Sequence, residues 1–191
     1  MIMKKVFIVH GFGGSPDRNW FPWLAKELGK YEVDTSILSM PTPSRPIKEE
    51  WVEAIKKNVD IPNENIFLIG HSLGVPAILR YLESLSSDSK IGGVVLVSGF
   101  VNSIPDLTGR YNLINKFVED SFDFNHIKNV CRKFVVVHGA DDDIVPFNYA
   151  EELSSKLSCE LISVSNGGHL NDKVGFVELP QALDSLLKLI K

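Results

Sequence analysis

A serine between two glycines is the first feature of this chain that could do chemistry. The segment Gly70-His71-Ser72-Leu73-Gly74 matches the pattern G-x-S-x-G, in which a tight turn holds a serine hydroxyl above the edge of a sheet. Average residue usage produces this pattern by chance in roughly one chain in ten of this length. Its context is more specific, because a short apolar run precedes it and an apolar-periodic stretch follows it. This strand–turn–helix setting predicts that Ser72 is a nucleophile.

A serine hydroxyl needs a base to activate it, and one histidine is well placed to be that base. Proteins with this kind of turn carry their triad in the order serine, acid, histidine. His169 follows the last predicted strand, and the glycines before it are typical of a tightly turned loop that can present the ring to Ser72. We therefore predict that His169 is the base and that the other four histidines are structural. Activity should fall as the pH drops through about 6–7, where a histidine becomes protonated.

Three adjacent carboxylates, Asp141, Asp142 and Asp143, follow the next-to-last predicted strand. The acid of a triad is expected at this place, where it holds the base in one tautomer. Because like charges repel and desolvation is costly, one carboxylate should turn inward while the others face water or cap the following helix. Spacing alone leaves the choice among the three open.

Backbone amides near Ser72 are expected to stabilise the oxyanion that forms during acyl transfer. Leu73 follows the nucleophile and should supply one N–H donor, and the glycine-rich loop 10–14 should supply the second. We assign the second donor to Phe12, with Gly13 as the alternative. A phosphate cradle is a weaker interpretation of this loop, because neither G-x-G-x-x-G nor a P-loop lysine is present.

Aromatic residues at the ends of strands are candidates for the wall of a substrate pocket. Phe12, Trp20 and Phe100 end or follow predicted strands near the expected site. As substrate-binding residues they would favour a small substrate with an apolar acyl or aromatic group. Packing of Trp20 and Trp23 against the first helix is an equally good interpretation of these two residues.

Strands and helices that could position these residues alternate along the chain. Six short apolar runs predict strands over 6–9, 33–38, 66–69, 94–97, 134–137 and 161–164. Apolar residues three and four positions apart predict helices over 21–30, 48–59, 75–85, 148–157 and 175–190. Pro180 can shift the start of the last helix. This alternation predicts a single α/β domain over residues 1–191, with a three-layer α/β/α arrangement around a mostly parallel six-stranded sheet.

One connection between predicted strands, residues 101–131, is much longer than the others. Connections of about thirty residues are usually functional or contain short helices. We predict that this one forms a small cap beside the active site. A surface excursion without a catalytic role is the alternative.

The composition disfavours several other classes of protein. The chain has 191 residues, of which 44% are hydrophobic and 23% charged, as in ordinary globular domains rather than disordered or fibrous proteins. A net charge of −4 argues against a nucleic-acid binder, which needs a basic face. No apolar run approaches the ~20 residues of a membrane span, and the N-terminus lacks the apolar region of a signal peptide. We expect a cytoplasmic protein with no cofactor and no metal, because its histidines and acids lack a ligand spacing.

Several further motifs resemble the small serine hydrolases that include retinoblastoma-binding protein 9 and the bacterial YdeN-like proteins. These motifs are Trp20-Phe21-Pro22-Trp23-Leu24, Met40-Pro41-Thr42-Pro43 with the following Trp51, and the stretch 122–131 that leads into the strand at Phe134. The resemblance therefore runs along most of the chain. It implies an α/β-hydrolase fold with a minimal cap and a Ser-Asp-His triad.

The resemblance also implies which carboxylate is the acid. In the matching segment of the family the aspartate lies four residues before a proline, which corresponds to Asp142 before Pro146, with Asp143 as the alternative. One departure matters for partners. Retinoblastoma-binding protein 9 is named for an L-x-C-x-E motif. In this chain Leu157 and Cys159 match the first and third positions of that motif, but Leu161 stands where glutamate is required. That binding activity is not carried over.

These features together predict a serine hydrolase that cleaves small ester, thioester or amide substrates through an acyl-enzyme on Ser72. The carboxylesterase class, EC 3.1.1, fits best. Two alternatives from other classes stay open. One is a protein-interaction module on a hydrolase scaffold with weak or no catalysis, and the other is an acyltransferase, in which an alcohol or amine replaces water.

Overall fold

The computed structural model describes residues 3–105 and 111–191. Within them lie six strands: β1 Lys5–Val9, β2 Asp34–Leu38, β3 Ile66–His71, β4 Gly93–Val97, β5 Phe134–Gly139 and β6 Glu160–Val164. They also contain α1 Phe21–Gly29, α2 Lys48–Val59, α3 Gly74–Glu83, α4 Asn112–Asn115, α5 Phe124–Val130, α6 Phe147–Leu157 and α7 Pro180–Ile190. A short 3₁₀ turn spans Asp172–Val174. No helix among the described residues is long and apolar enough to cross a membrane.

The six strands form one sheet in the order β2-β1-β3-β4-β5-β6. Every pair of neighbouring strands is parallel, which confirms the predicted α/β class and its three layers. In a parallel sheet all strands end at the same edge, and this order reverses direction between β1 and β3. Open α/β sheets bind ligands outside the carboxyl ends of the strands at such a point.

Both faces of the sheet are covered, and this explains why the strands read as continuous apolar runs. In β1, Val6 and Ile8 face the core layer formed with α1 and α7. Phe7 and Val9 face the opposite layer, which contains residues of α2, α3 and α6. Alternate side chains of one strand therefore bury into two separate hydrophobic clusters.

The last helix begins later than the periodic pattern predicts. We expected it over 175–190, but it starts at Pro180. Proline fits the first turn of a helix because the amide that it lacks has no intrahelical partner there. The apolar periodicity upstream belongs to the chain that leads into the helix.

The predicted cap, 101–131, contains two short helices, α4 and α5, and its residues 106–110 lie outside the described residues. Arg80 on α3 binds the C-terminal part of this connection. Its Nε donates a hydrogen bond to the Phe117 carbonyl at 3.0 Å, and its guanidinium lies 3.8 Å from the centre of the Phe122 ring. The connection is thus held against the helix that follows Ser72.

Candidate active site

Ser72 lies at the end of β3 in a left-handed backbone conformation, with a φ of 54°. This conformation is strained for a residue with a side chain, and a tight turn imposes it. A Cβ atom at Gly74 would lie 2.2 Å from the Val9 carbonyl oxygen, and one at Gly70 would lie 2.8 Å from the carbonyl carbon of Gly74. Both positions therefore require glycine. The Ser72 amide still donates to the Val97 carbonyl at 2.9 Å, so the sheet extends up to the serine.

His169, in the loop after β6, is hydrogen-bonded to a buried carboxylate. Its Nδ1 lies 2.8 Å from Oδ2 of Asp142. The second oxygen of Asp142 accepts hydrogen bonds from the amides of Ile144 and Val145, each at 2.9 Å. Because the carboxylate accepts at Nδ1, the neutral His169 ring carries its proton on Nδ1 and leaves Nε2 free to accept one.

The structure separates the three adjacent aspartates. Asp142 is buried, whereas Asp141 and Asp143 are exposed. Asp141 accepts a hydrogen bond from the Gly168 amide at 3.0 Å and so contacts the backbone of the histidine loop rather than the ring. Asp142 is the aspartate that contacts His169, as the family register implies.

The environment of Asp142 favours its ionised form. Burial by itself would raise the pKa of this carboxyl group. The hydrogen bond from His169 and the backbone amide of Val145 outweigh burial and hold the pKa of Asp142 below its ordinary value. The carboxylate is therefore charged at neutral pH and can stabilise a positive charge on the His169 ring.

Two ring N–H groups hold the backbone of the histidine loop. Nε2 of His71 donates to the His169 carbonyl at 2.9 Å, and Nε1 of Trp20 donates to the next carbonyl, that of Leu170, also at 2.9 Å. Burial lowers the pKa of His71 to about 3, so this ring stays neutral. The position of His169 thus depends on residues from β3 and from the start of α1.

The two residues whose amides were predicted to form an oxyanion hole, Phe12 and Leu73, are both near Ser72. Leu73 follows it directly, and the glycine loop is in contact with it, because a Cβ atom at Gly11 would lie 2.9 Å from the Ser72 Cβ. Within the described residues, the amides of Phe12 and Leu73 donate no hydrogen bond, whereas the Gly13 amide donates to the Pro43 carbonyl at 2.8 Å. This favours Phe12 over Gly13 as the second donor.

Ser72 and His169 line one cavity of about 360 Å³ at the carboxyl edge of the sheet. Phe12 lines it as well. Trp20 and Phe100 do not, and the prediction that they form the pocket wall was wrong. Both rings are completely buried, Trp20 beneath the histidine loop and Phe100 in the core layer that contains α3. The apolar lining comes instead from residues that the sequence did not single out: Ile104, Tyr111, Ile114 and Ile144.

Residues 6–188 match the sequence model of the family described as Serine hydrolase. This chain belongs to that family. The putative hydrolase YdeN of Bacillus subtilis (strain 168) is 39% identical over 183 residues, which cover 96% of this chain and 94% of YdeN. The serine hydrolase RBBP9 of Rattus norvegicus is 24% identical over 186 residues, which cover 96% of this chain and 95% of RBBP9. The resemblance stated from the sequence is confirmed.

Solved structures are consistent with the assignment of this chain to the serine hydrolase family. The crystal structure of the ydeN gene product from B. subtilis has a TM-score of 0.92 and 37% identity, and the match covers 98% of each chain. Est1E from Butyrivibrio proteoclasticus has a TM-score of 0.74 at 17% identity, over 98% of this chain and 88% of Est1E. At that identity, the likeness to Est1E concerns the fold alone.

A second histidine of this hydrolase, His138, was predicted to be structural and contacts Asp142. Nε2 of His138 donates to the Val145 carbonyl at 2.8 Å and lies 3.4 Å from Oδ2 of Asp142. Burial lowers the pKa of His138, so its ring is neutral and supports the carboxylate as a dipole. Its place at the end of β5, four residues before Asp142, was the available signal.

Proposed function

We propose that this serine hydrolase cleaves small carboxylic esters, as carboxylesterases of class EC 3.1.1 do, through an acyl-enzyme on Ser72. One observation carries the proposal: His169, bonded to the buried Asp142 at 2.8 Å, shares a cavity with a serine held in a strained turn. A hydroxyl becomes a nucleophile when a correctly oriented neutral base can take its proton.

The reaction begins when Nε2 of His169 takes the proton of the Ser72 hydroxyl as the serine oxygen bonds to the ester carbonyl carbon. The amides of Phe12 and Leu73 donate to the resulting oxyanion, and a donor of this kind contributes about 10²–10³ in kcat. The protonated ring, stabilised by Asp142, gives its proton to the departing alcohol. Water then attacks the acyl-enzyme by the same route, with His169 again as base, and releases the carboxylic acid.

The size and lining of the cavity support a short acyl group. A volume of about 360 Å³ lies at the small end of the range for ligand pockets. Aryl esters with acetyl, butyryl and palmitoyl groups test this expectation, and kcat/KM should be highest for one of the two short chains. A clear preference for the palmitoyl ester would contradict it.

Labelling with a fluorophosphonate, which reacts with activated serines, tests the proposed nucleophile and base. We expect the wild type to be labelled, the Ser72→Ala variant to remain unlabelled, and His169→Ala to react at least about a hundredfold more slowly, because a positioned base contributes 10²–10⁴-fold. Ser155→Ala, which removes an exposed hydroxyl on α6, is the matched control and should be labelled like the wild type. A folded wild type that is not labelled, or labelling that persists in Ser72→Ala, would refute the proposal.

A further inference from the structure

The lining of the cavity at Ser72 divides into two chemically different sets. One set is apolar and is called here the isoleucine wall: Ile104, Ile114 and Ile144. The other set, called the polar wall, comes from the loops after β1 and β6: Arg18, Asn19, Asn171, Asp172 and Lys173. Only the isoleucine wall suits a simple alkyl acyl group, and the mechanism above uses no residue of the polar wall.

Hydrogen bonds between its two loops hold the polar wall in place. Nε of Arg18 donates to Oδ2 of Asp172 at 2.6 Å, and the Asp172 amide donates to Oδ1 of Asn19 at 3.1 Å. The Asn171 side chain accepts from the Lys173 amide at 3.1 Å, which fixes the short turn that carries Lys173. The wall is therefore a connected frame rather than a group of independent surface residues.

The charges of the polar wall do not cancel. It contains two cations, Arg18 and Lys173, and one carboxylate, Asp172, which is already bonded to Arg18. In the part of the chain that the structure describes, the Lys173 ammonium and the terminal guanidinium nitrogens of Arg18 make no hydrogen bond within the protein. The Asp17 carboxylate interacts with the adjacent Arg18 guanidinium but does not line the cavity. The residues that line the space beside Ser72 thus offer unused hydrogen-bond donors and include one more cation than carboxylates.

We propose that the preferred substrates are esters that also carry a carboxylate, which Lys173 and Arg18 bind while the apolar part packs against the isoleucine wall. This inference rests on the proposed ester hydrolysis. A carboxylate accepts hydrogen bonds from both cationic groups, and Arg18 can keep its bond to Asp172 because that bond uses only Nε. Lys173, whose ammonium group makes no hydrogen bond among the described residues, is the specificity-determining residue. Since these groups are exposed, the effect should be about three- to fivefold in kcat/KM.

Matched ester pairs measure this preference. Methyl butyrate and monomethyl succinate have acyl groups of equal length and the same leaving group, and they differ in a terminal methyl or carboxylate. Phenyl acetate and 4-acetoxybenzoate place the same difference on the leaving group. The quantity compared is the ratio of kcat/KM for the anionic ester to kcat/KM for its neutral partner, in wild type, Lys173→Gln, Lys173→Glu and Lys26→Gln. Lys26 is exposed on α1 outside the cavity, so its change controls for net charge alone.

We expect the ratio for one of the two pairs to fall about three- to fivefold in Lys173→Gln and further in Lys173→Glu, with Lys26→Gln like the wild type. Raising the salt concentration should lower the wild-type ratio, because salt screens exposed charges. Ratios that are the same in wild type and both Lys173 variants for both pairs would overturn the inference.

A binding measurement separates failure of this inference from failure of the proposed reaction. The Ser72→Ala protein can bind an ester without cleaving it, so calorimetric titration with monomethyl succinate and with 4-acetoxybenzoate needs no turnover. Weaker binding of either anion after the additional change Lys173→Gln supports the anion site even if no ester is hydrolysed. Equal binding of both anions with and without Lys173 contradicts it, whether or not fluorophosphonate labels Ser72.

Discussion

Replacing Asp142 with asparagine tests the assembly of the site, because the change keeps the size of the side chain and removes its charge. The Oδ1 atom of the new residue can still accept hydrogen bonds from the Ile144 and Val145 amides. Its amide group must then occupy the place of the present Oδ2, 2.8 Å from Nδ1 of His169, where it donates instead of accepting. Nδ1 becomes the acceptor, the proton of the neutral ring moves to Nε2, and this tautomer cannot take a proton from Ser72.

The expected loss in kcat follows from this change of tautomer. In enzymes with a Ser-His-Asp triad, loss of the correct histidine tautomer lowers kcat by about 10⁴-fold. This factor corresponds to about 5 kcal/mol of transition-state stabilisation. The fold should suffer much less. Both bonds from the amides to Asp142 are kept, so we expect the free energy of unfolding to fall by only about 1 kcal/mol.

The assay compares kcat of wild type, Asp142→Asn and Asp143→Asn on an aryl acetate at pH 8, with urea denaturation to establish that each variant is folded. Asp143 is exposed and adjacent, so its change makes a matched control that should keep kcat within about twofold. If Asp143→Asn lost activity while Asp142→Asn retained a tenth or more of it, the argument from tautomers and the choice of Asp142 would both be wrong.

Three further predictions concern stability, and urea titration measures each of them. Burial holds the pKa of His71 at about 3 against 6.5 when unfolded, so the unfolded state binds more protons below 6.5. The free energy of unfolding should therefore fall by about 1 kcal/mol from this residue between pH 7.5 and 5.5, and a His71→Gln variant with the same pH dependence as wild type would contradict this. Gly74→Ala should cost about 2–3 kcal/mol because its Cβ meets the Val9 oxygen, whereas Gly29→Ala, with open space around it, should not destabilise. Arg80→Lys should cost about 1–2 kcal/mol, because one ammonium cannot bind all the carbonyls that the guanidinium binds, and an unchanged midpoint would refute this role.

Most of the fold could be predicted because parallel strands buried on both faces have a local signature. Each of the six apolar runs became a strand of one sheet. The two short helices of the connection, α4 and α5, have no comparable signature, since four and seven residues are too few for an apolar periodicity to develop.

The candidate site could be predicted only where its chemistry depends on neighbours in the sequence. Ser72 was found because its turn needs glycines at fixed positions, and these lie in the same pentapeptide. The choice among three aspartates depends on which carboxylate turns inward, and adjacent residues of like charge look equivalent until the packing is known. The polar wall is a longer-range case: Arg18 and Asp172 are 154 positions apart in the sequence.

The wrong prediction for Trp20 has a physical cause that applies beyond this residue. A buried tryptophan has one N–H group that must find an acceptor, and the acceptors that a folded loop leaves unused are its backbone carbonyls. A tryptophan close to an active site in the sequence can therefore do one of two things: expose its ring to substrate, or bury the ring and bind a loop. Trp20 does the second: its ring is fully buried and its N–H donates a hydrogen bond to the Leu170 carbonyl. His71 donates in the same way to the carbonyl of the preceding residue, His169. His169 is thus oriented through the backbone of its loop as well as through Asp142.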